Sequence, residues 1–209
     1  MKEKIARVLT KLSENPERRV FHSEADFQFQ LAWELKEQEG FDVILEYSEN
    51  ISNNERNRVD IVIVKNNKYI PIELKYFTKP HNNYKQLKQQ NDTWRTYDYF
   101  EDLMRVESFV NTRDNSDEGY TIVLSNYNFF WQGNVEENVN YYDYRILHNR
   151  EIKPRDYKWA DSEAKSVKGT RREKNIKIEG NYKFKWDTFF EEKDLEFRYM
   201  INQYSKNHK

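Results

Sequence analysis

Two carboxylates and a lysine lie close together in the sequence, in a pattern that could act on one substrate. Asp60 follows Val59, and Glu73 is separated from Lys75 by a single residue. Mg²⁺ is typically held by one or two carboxylates, together with waters and phosphate oxygens. A lysine beside such a pair would add a fixed positive charge. These residues predict metal-assisted chemistry, provided that the fold brings them together.

The segment from 58 to 76 predicts a β-hairpin that would bring them together. Val59–Val64 is a β-branched run, and Tyr69–Leu74 resumes the apolar pattern. Between the two runs, Asn66-Asn67 is a plausible two-residue turn because asparagine tolerates positive φ. We therefore expect two antiparallel strands joined at these asparagines.

The turn fixes which residues oppose each other. If Asn66 and Asn67 form the loop, Lys65 faces Lys68, and counting outward places Asp60 opposite Glu73. Side chains alternate between faces along a strand, so Asp60, Glu73 and Lys75 share one face. Opposed like charges are destabilising, and a bound divalent cation would reverse that effect. The residues predicted to point the other way, into a core, are Ile61, Ile63, Ile72 and Leu74.

Pro71 tests this register, because proline cannot donate a hydrogen bond to a sheet. It lies opposite Val62 in a non-hydrogen-bonded pair, so the missing N–H is not needed on that side. We expect the second hairpin strand to be an edge, or bulged, on its other side. A slip by one residue would place Asp60 and Glu73 on opposite faces.

The elements around the hairpin follow from caps and periodicity. Ser23 predicts a helix N-cap and Gly40 the end of that helix, which puts Glu24 at the first helical position. There the Glu24 carboxylate either only interacts favourably with the helix dipole or points toward the hairpin carboxylates. The other predicted elements are a helix over Lys2–Leu12, a strand over Asp42–Tyr47, a helix from about Asn83 to Val110 and a strand over Tyr120–Leu124.

The C-terminal part is less regular. Tyr141–Leu147 is compatible with a strand, and Tyr157–Asn175 has no clear period, which suits a mobile or extended loop. Tyr182–Trp186 alternates aromatic with basic residues and predicts a strand that exposes its lysines on one face. Glu196–Tyr204 fits a strand, with a helix as the alternative.

Composition excludes several classes of protein. The chain has 209 residues, no cysteine, and four histidines without ligand spacing, which excludes a disulfide framework and a thiolate zinc site. The mean hydropathy of -1.11 would suit a disordered chain, but 16% aromatic residues favour a folded one. No signal peptide or apolar run of about 18 residues appears. We therefore expect a single soluble, cytoplasmic domain with no membrane partner.

Charge is balanced overall but unevenly distributed. The net charge of -1 gives no global signal for nucleic acid, whereas residues 145–185 hold 13 Lys or Arg against 6 Asp or Glu. Such a stretch either follows a phosphate backbone or is the solvated face of a charged protein.

Together, the helical Glu24, the strand residue Asp60 and the Glu73-Leu74-Lys75 triplet resemble the PD-(D/E)XK nuclease superfamily, which has the restriction-endonuclease-like fold. Val59 stands where that superfamily has proline. The order of helix, three antiparallel strands, helix and strand matches its core over residues 20–125. The segments Tyr97–Glu107 and Phe197–Tyr199 look like a subgroup of small members.

The resemblance implies a fold of the α/β class with a mixed α+β sheet. Its core would be a central mixed four-stranded sheet flanked by helices. Residues 126–209 would then form a β-rich C-terminal extension packed on that core, within one domain of residues 1–209.

The resemblance also implies a Mg²⁺-dependent nuclease that hydrolyses phosphodiester bonds in DNA, in restriction, repair or mobile-element defence. Asp60 and Glu73, aided by Glu24, would hold Mg²⁺, with Mn²⁺ as a substitute. Lys75 would orient the attacking water or stabilise charge on the phosphorane. We favour an endonuclease over an exonuclease. The two alternatives are an RNA-directed or structure-selective nuclease, and a catalytically silent module that binds nucleic acid or protein.

DNA contacts would come from basic and amide side chains near this site. Gln86 or Gln90 would face it from the following helix, although Gln90-x-x-x-Trp94 lacks the tyrosine hydroxyl of exonuclease-like members. A homodimer is implied because many members dimerise to cut two strands. The candidate phosphate-binding residues are Arg171, Arg172, Lys183 and Lys185.

Overall fold

The computed structural model of the protein describes residues 1–50, 56–88, 92–132 and 138–206. Its first part forms helices α1 (Lys2–Glu14) and α2 (Glu24–Glu39), strands β1 (Asp42–Asn50), β2 (Arg56–Lys65) and β3 (Lys68–Phe77), helix α3 (Asp92–Thr112) and strand β4 (Glu118–Ser125). Two short 3₁₀ helices follow, over Asn128–Phe130 and Tyr142–Tyr144. The remaining strands are β5 (Glu151–Ile152), β6 (Arg155–Tyr157), β7 (Ile176–Ile178), β8 (Tyr182–Lys183), β9 (Trp186–Glu192) and β10 (Leu195–Ser205).

The limits of α2 follow from its capping residues. The Ser23 hydroxyl accepts a hydrogen bond from the Asp26 N–H, which satisfies a free donor of the first turn. At the other end Gly40 adopts the left-handed conformation, with φ of 64°, and its N–H donates to the Lys36 carbonyl. The predicted helix is confirmed at both ends, and Glu24 occupies its first position.

Six of the described strands form a central mixed sheet in the order β1-β2-β3-β4-β10-β9, while β5 pairs with β8 and β6 with β7 in two small sheets. The β3–β4 pair is parallel, and the other neighbouring strands are antiparallel. The mixed α/β fold is confirmed, but the central sheet has six strands where the sequence predicted four. β10 pairs along β4 from Ser125 to Glu118, so the end of the chain covers what would otherwise be an open sheet edge. Of the two alternatives for residues 196–204, the strand is therefore correct.

The hairpin has the predicted turn and register. Asn66 and Asn67 have φ of 50° and 61°, and Lys65 pairs with Lys68. Both turn residues thus lie in the left-handed region that a type I′ turn requires. Pairing continues outward to Ile61 and Ile72.

Pro71 does not make β3 an edge strand, and that expectation is wrong. The parallel ladder with β4 begins at Ile72, which pairs with Tyr120, so it starts one residue beyond the proline. Gly119 packs closely here, because a Cβ added to it would lie 2.8 Å from Pro71 Cγ. The sheet accommodates the proline by starting the ladder after it.

The helix expected from about residue 83 begins later. Turns occupy the region from 82 to 86, and α3 begins at Asp92. The Thr78 hydroxyl donates to the Lys88 carbonyl and accepts from the Lys88 N–H, which ties this segment to the end of β3. These bonds hold Lys88 against a strand residue instead of within a helical turn.

Two predictions for the C-terminal part are also wrong in detail. Residues 142–144 form a 3₁₀ helix and not a strand. The Tyr157–Asn175 region is not an extended loop, since it folds into turns whose Val167 is fully buried. Its Trp159 stacks on Tyr97 of α3, with ring centroids 5.6 Å apart. Aromatic packing thus organises a segment that has no hydrophobic period of its own.

The alternating segment from 182 to 186 has the predicted faces. Tyr182, Phe184 and Trp186 are buried, and the two lysines between them are exposed. The segment does not form one continuous strand, because β8 ends at Lys183 and β9 begins at Trp186. Its aromatic rings belong to the core.

The sheet is covered on both faces. One core joins α1 and α2 to the sheet and contains the four aliphatic hairpin residues predicted to point inward: Ile61, Ile63, Ile72 and Leu74. A second core joins α3 to the opposite face, where Val123 and Met200 lie, and to the C-terminal segments. In the described part of the chain, no helix is long and apolar enough to cross a membrane.

The close approach at Gly119 predicts a stability loss. A Cβ at this position would lie 2.6 Å from Val106 Cγ1 as well as 2.8 Å from Pro71 Cγ. Gly119→Ala should lower the free energy of unfolding by about 1–3 kcal/mol through overpacking. Urea denaturation monitored by tryptophan fluorescence measures this loss.

The matched control is Gly40→Ala, where an added Cβ meets no atom within 4 Å. Because Gly40 has a φ of 64°, this substitution should cost only the backbone strain of a left-handed alanine, roughly 1 kcal/mol of unfolding free energy. A loss at Gly119 no larger than that at Gly40 would contradict the packing described.

Candidate active site

A charged cleft of about 300 Å³ opens where α2, β2, β3 and α3 meet. All four predicted catalytic residues, Glu24, Asp60, Glu73 and Lys75, line it. The other lining residues are Phe77, Arg95, Asp98, Glu101, Asp102, Arg105 and Arg171. Among the described residues, six carboxylates therefore face four cations, which is a formal excess of two negative charges.

Asp60 lies where the hairpin strands stop pairing. The ladder ends at Ile61 and Ile72, and at the next position Asp60 Oδ2 accepts a hydrogen bond from the Leu74 N–H at 2.7 Å. A side chain thus takes the place of a ladder partner. This hydrogen bond fixes the Asp60 carboxylate against β3, where it lines the cleft.

Gln28 supports Asp60 from α2 and was not anticipated from the sequence. Its Nε2 donates to the Asp60 carbonyl at 2.6 Å and to Glu46 Oε1 at 2.9 Å. It is buried and lies one helical turn after Glu24. A polar residue four positions from Glu24, in line with the buried Leu31 and Leu35, was the sequence signal that could have identified it.

Glu24 reaches from the helix to the hairpin. Its Oε2 accepts from the Tyr76 N–H at 2.8 Å, and its Oε1 lies 3.9 Å from Lys75 Nζ. Desolvation raises the pKa of Glu24, while Lys75 and the Tyr76 amide oppose that rise. The carboxylate therefore does more than cap its helix, since it contacts β3 directly.

Glu73 is the most deeply buried carboxylate of the hairpin, at 1% exposure. Its Oε1 lies 2.8 Å from Nη1 of Arg105. Burial raises the pKa of Glu73 well above its ordinary value; the negative charges of Asp102 and Asp60 raise it further, and Arg105 opposes them. Within the described residues, neither oxygen accepts a well-oriented hydrogen bond. The positive charge against this buried carboxylate is thus supplied by Arg105.

Lys75 is held as an ammonium ion. Its Nζ lies 2.6 Å from Asp102 Oδ2 and donates to the Leu74 carbonyl at 3.0 Å. Burial on its own would lower the pKa of Lys75, but Asp102 and then Glu24 raise it, and the net shift is upward. Lys75 can therefore donate hydrogen bonds and positive charge, but it is a poor general base.

Asp102 and Arg105 of α3 complete the network, and the hairpin motif does not include them. Asp102 is 2% exposed and binds Lys75 through one oxygen and Arg105, at 2.9 Å, through the other. Burial raises the pKa of Asp102, and the two cations oppose that rise. The sequence signal was a charged stripe at helical spacing: Arg95, Asp98, Asp102 and Arg105.

The basic residues proposed to contact DNA lie in different places. Arg171 lines the cleft but pairs with Asp98 at 2.8 Å and Glu101 at 2.6 Å. Arg172 binds Asp98 through two nitrogens, at 2.7 and 2.8 Å. These ion pairs attach the loop that carries both arginines to α3.

Three of the other proposed contacts, Lys183, Lys185 and Gln86, are not part of the cleft lining. Lys183 and Lys185 are exposed, and Lys185 pairs with Asp187 at 3.1 Å. Gln86 is half-buried in a turn and does not lie on the helix from which it was expected to face the site. Gln90 lies outside the described residues.

The donor set of the cleft can be compared with the needs of Mg²⁺. Among the described residues, no three or more His, Asp or Glu side chains are grouped as a metal-binding cluster. Mg²⁺ needs only one or two carboxylates when waters and phosphate oxygens complete its shell. Asp60 and Glu73 supply such a pair, with the Glu73 oxygens buried and poorly hydrogen-bonded. The chemistry and the negative excess fit a divalent cation.

Comparison of the chain with protein-family models, curated proteins and solved structures finds no match. The resemblance to the PD-(D/E)XK superfamily therefore depends on the pattern of Glu24, Asp60, Glu73 and Lys75 and on the order of the elements that carry them.

The buried network predicts a large effect at Asp102. Asp102→Asn keeps the side-chain shape but removes the charge shared by Lys75 and Arg105. Breaking a buried ion pair in this way should cost about 3–5 kcal/mol of unfolding free energy. Chemical denaturation measures the change.

Asp187→Asn is the matched control, because Asp187 pairs with Lys185 at 3.1 Å and both side chains are open to solvent, at 43% and 69% exposure. An exposed pair is worth roughly 1 kcal/mol or less. Equal losses for the two variants would show that the Asp102 pairs are not the buried contacts described.

Proposed function

We propose that the protein is a Mg²⁺-dependent nuclease that hydrolyses phosphodiester bonds, with DNA as its substrate. The observation that carries this proposal is the convergence of Asp60, Glu73 and Lys75 in one cleft. Glu24 joins them from a separate helix. Two carboxylates beside a fixed ammonium group suit a reaction in which a metal ion and a lysine act on the same phosphate.

Asp60 and Glu73 would hold the metal ion, with Glu24 assisting through a water or a second ion. When bound, Mg²⁺ polarises the phosphate and lowers the pKa of a water ligand. The cleft favours such an ion because, in the part of the chain that the structure describes, its carboxylates exceed its cations by two. Without it, this excess would repel a phosphodiester.

Lys75 acts as a donor of positive charge. Asp102 and the Leu74 carbonyl fix its ammonium group, and Asp102 and Glu24 keep it protonated. A charge held in place before the reaction stabilises the developing phosphorane without reorganisation. In this role Lys75 also orients the attacking water by hydrogen bonding, while it does not itself accept the proton.

Arg171 and Arg95 provide positive charge among the residues that line the cleft. Arg95 also donates to the Tyr76 carbonyl at 3.0 Å, beside the Glu24 contact with the same residue. Arginine matches the geometry of phosphate groups, so these side chains suit a nucleic-acid backbone. The choice of DNA over RNA comes from the superfamily resemblance.

A second candidate is a catalytically silent module that binds nucleic acid or protein. One observation favours it: Glu73 and Lys75 already have internal counter-ions, Arg105 and Asp102. Such a network neutralises the key charges without a metal. The two candidates differ in whether the purified protein cleaves a phosphodiester bond.

Nicking of supercoiled plasmid DNA tests the nuclease proposal. The wild-type chain should nick it in Mg²⁺ or Mn²⁺ and stop when EDTA is added. Lys75→Ala and Asp60→Ala should each lower the rate by about 100-fold or more, as the loss of one electrostatic donor does elsewhere. Lys11→Ala is the control, because this exposed lysine of α1 pairs with Glu34, is not part of the cleft lining and should retain the rate.

Cleavage that survives both Lys75→Ala and Asp60→Ala, with folding checked by circular dichroism, would remove this cleft from consideration. Cleavage of RNA but not DNA would identify an RNA nuclease. Salt-sensitive binding without cleavage of either nucleic acid would identify the silent module.

A further inference from the structure

Arg105 is the cation that sits against Glu73. Its Nη1 lies 2.8 Å from Glu73 Oε1, and the Glu73 side chain is 1% exposed. Within the described residues, no well-oriented hydrogen bond reaches either Glu73 oxygen. A buried carboxylate without a positive partner is costly, so an ionised Glu73 depends on this guanidinium.

The contact can be exchanged without isolating Arg105. The same Nη1 lies 2.9 Å from Asp102 Oδ1, so one nitrogen serves two carboxylates. Asp102 keeps Lys75 on its other oxygen. The Arg105 side chain is 28% exposed and lines the cleft, which gives it room to turn. If Arg105 moved off Glu73, it would still have Asp102 as its counter-ion.

A divalent cation held by Asp60 and Glu73 would share the Glu73 carboxylate with this guanidinium, whose Nη1 already contacts Oε1. Two cations on one buried carboxylate repel each other strongly, because little water screens them. The repulsion falls if the guanidinium turns toward the open cleft. There it would meet the phosphodiester, which arginine binds in a planar, forked geometry.

We infer that Arg105 is an exchangeable internal counter-ion of Glu73, which a divalent cation displaces and which then binds the substrate phosphate. This inference rests on the proposed nuclease function, and it deepens that function by adding a step of metal loading. In the absence of metal, Arg105 preserves the buried site. After metal binding it becomes a substrate-binding residue.

Direct Mn²⁺ binding to the full chain tests the inference without any activity measurement. Electron paramagnetic resonance of free Mn²⁺, at fixed ionic strength, gives the dissociation constant. Arg105→Gln should bind Mn²⁺ roughly tenfold more tightly than the wild type, since a competing ion is removed and coupling between two ligands is commonly of this size.

Arg171→Gln is the matched control. It removes the same charge from the same cleft, but Arg171 contacts Asp98 and Glu101 instead of Glu73. Its effect on the dissociation constant should be clearly smaller than that of Arg105→Gln. Equal effects of the two variants would indicate general cleft charge, and would overturn a specific role for Arg105.

Because Arg105→Gln also removes a partner of Asp102, the variant could lose its fold, and a second measurement uses the wild-type chain. The Arg105 Nε–H resonance, observed by ¹⁵N NMR, should shift during a Mg²⁺ titration and saturate with the ion. A resonance that stays fixed while Mg²⁺ binds would overturn the inference. So would an Arg105→Gln variant that is folded and binds Mn²⁺ no more tightly than the wild type.

The Mn²⁺-binding result and the plasmid-nicking result can disagree, so the counter-ion role and the nuclease function are tested separately. Competition between Arg105 and Mn²⁺ without cleavage of DNA or RNA would support the counter-ion role and reject the nuclease. Plasmid nicking with no such competition would support the nuclease and reject the counter-ion role.

Discussion

The pairing of buried charges is the constraint on which the candidate site depends. Lys75, Asp102, Arg105 and Glu73 form a chain of alternating charge, with contacts of 2.6, 2.9 and 2.8 Å. None of these groups could be buried alone at an acceptable cost. Because the chain links β3 to α3, the strand and the helix must be docked for the site to exist. The same contacts therefore stabilise the packing of α3 on β3 and set the charges of the cleft.

The sheet provides the geometry in which that pairing is possible. β3 lies inside a six-stranded mixed sheet, so its cleft face is fixed by neighbours on both sides. The hairpin ladder ends at Ile61 and Ile72, and the Asp60 carboxylate then bonds to the Leu74 amide. Backbone N–H and C=O groups of the hairpin can thus bind side chains where the ladder between β2 and β3 stops. Gln28 and Glu24 of α2 satisfy backbone groups at this break.

Much of the local structure could be predicted because its causes are local. The caps at Ser23 and Gly40, the turn at Asn66 and Asn67, and the hairpin register depend on neighbouring residues. The start of α3 could not be predicted in this way. The apolar pattern of α3 extends upstream of Asp92. The Thr78 hydroxyl, however, donates to the carbonyl of Lys88, ten residues later, and this contact holds Lys88 outside the helix. The strand added by β10 likewise depends on an open edge of β4, which no local pattern reveals.

For the site, the sequence by itself determined that Asp60, Glu73 and Lys75 share a face. A two-residue turn and the alternation of side chains leave no other arrangement of a regular hairpin. Only the tertiary structure decided the electrostatic partners of Glu73 and Lys75. Arg105 and Asp102 lie on a helix that comes later in the chain, and their distances to β3 depend on how that helix packs. Periodicity predicts the face of an element, whereas docking determines which charges meet across two elements.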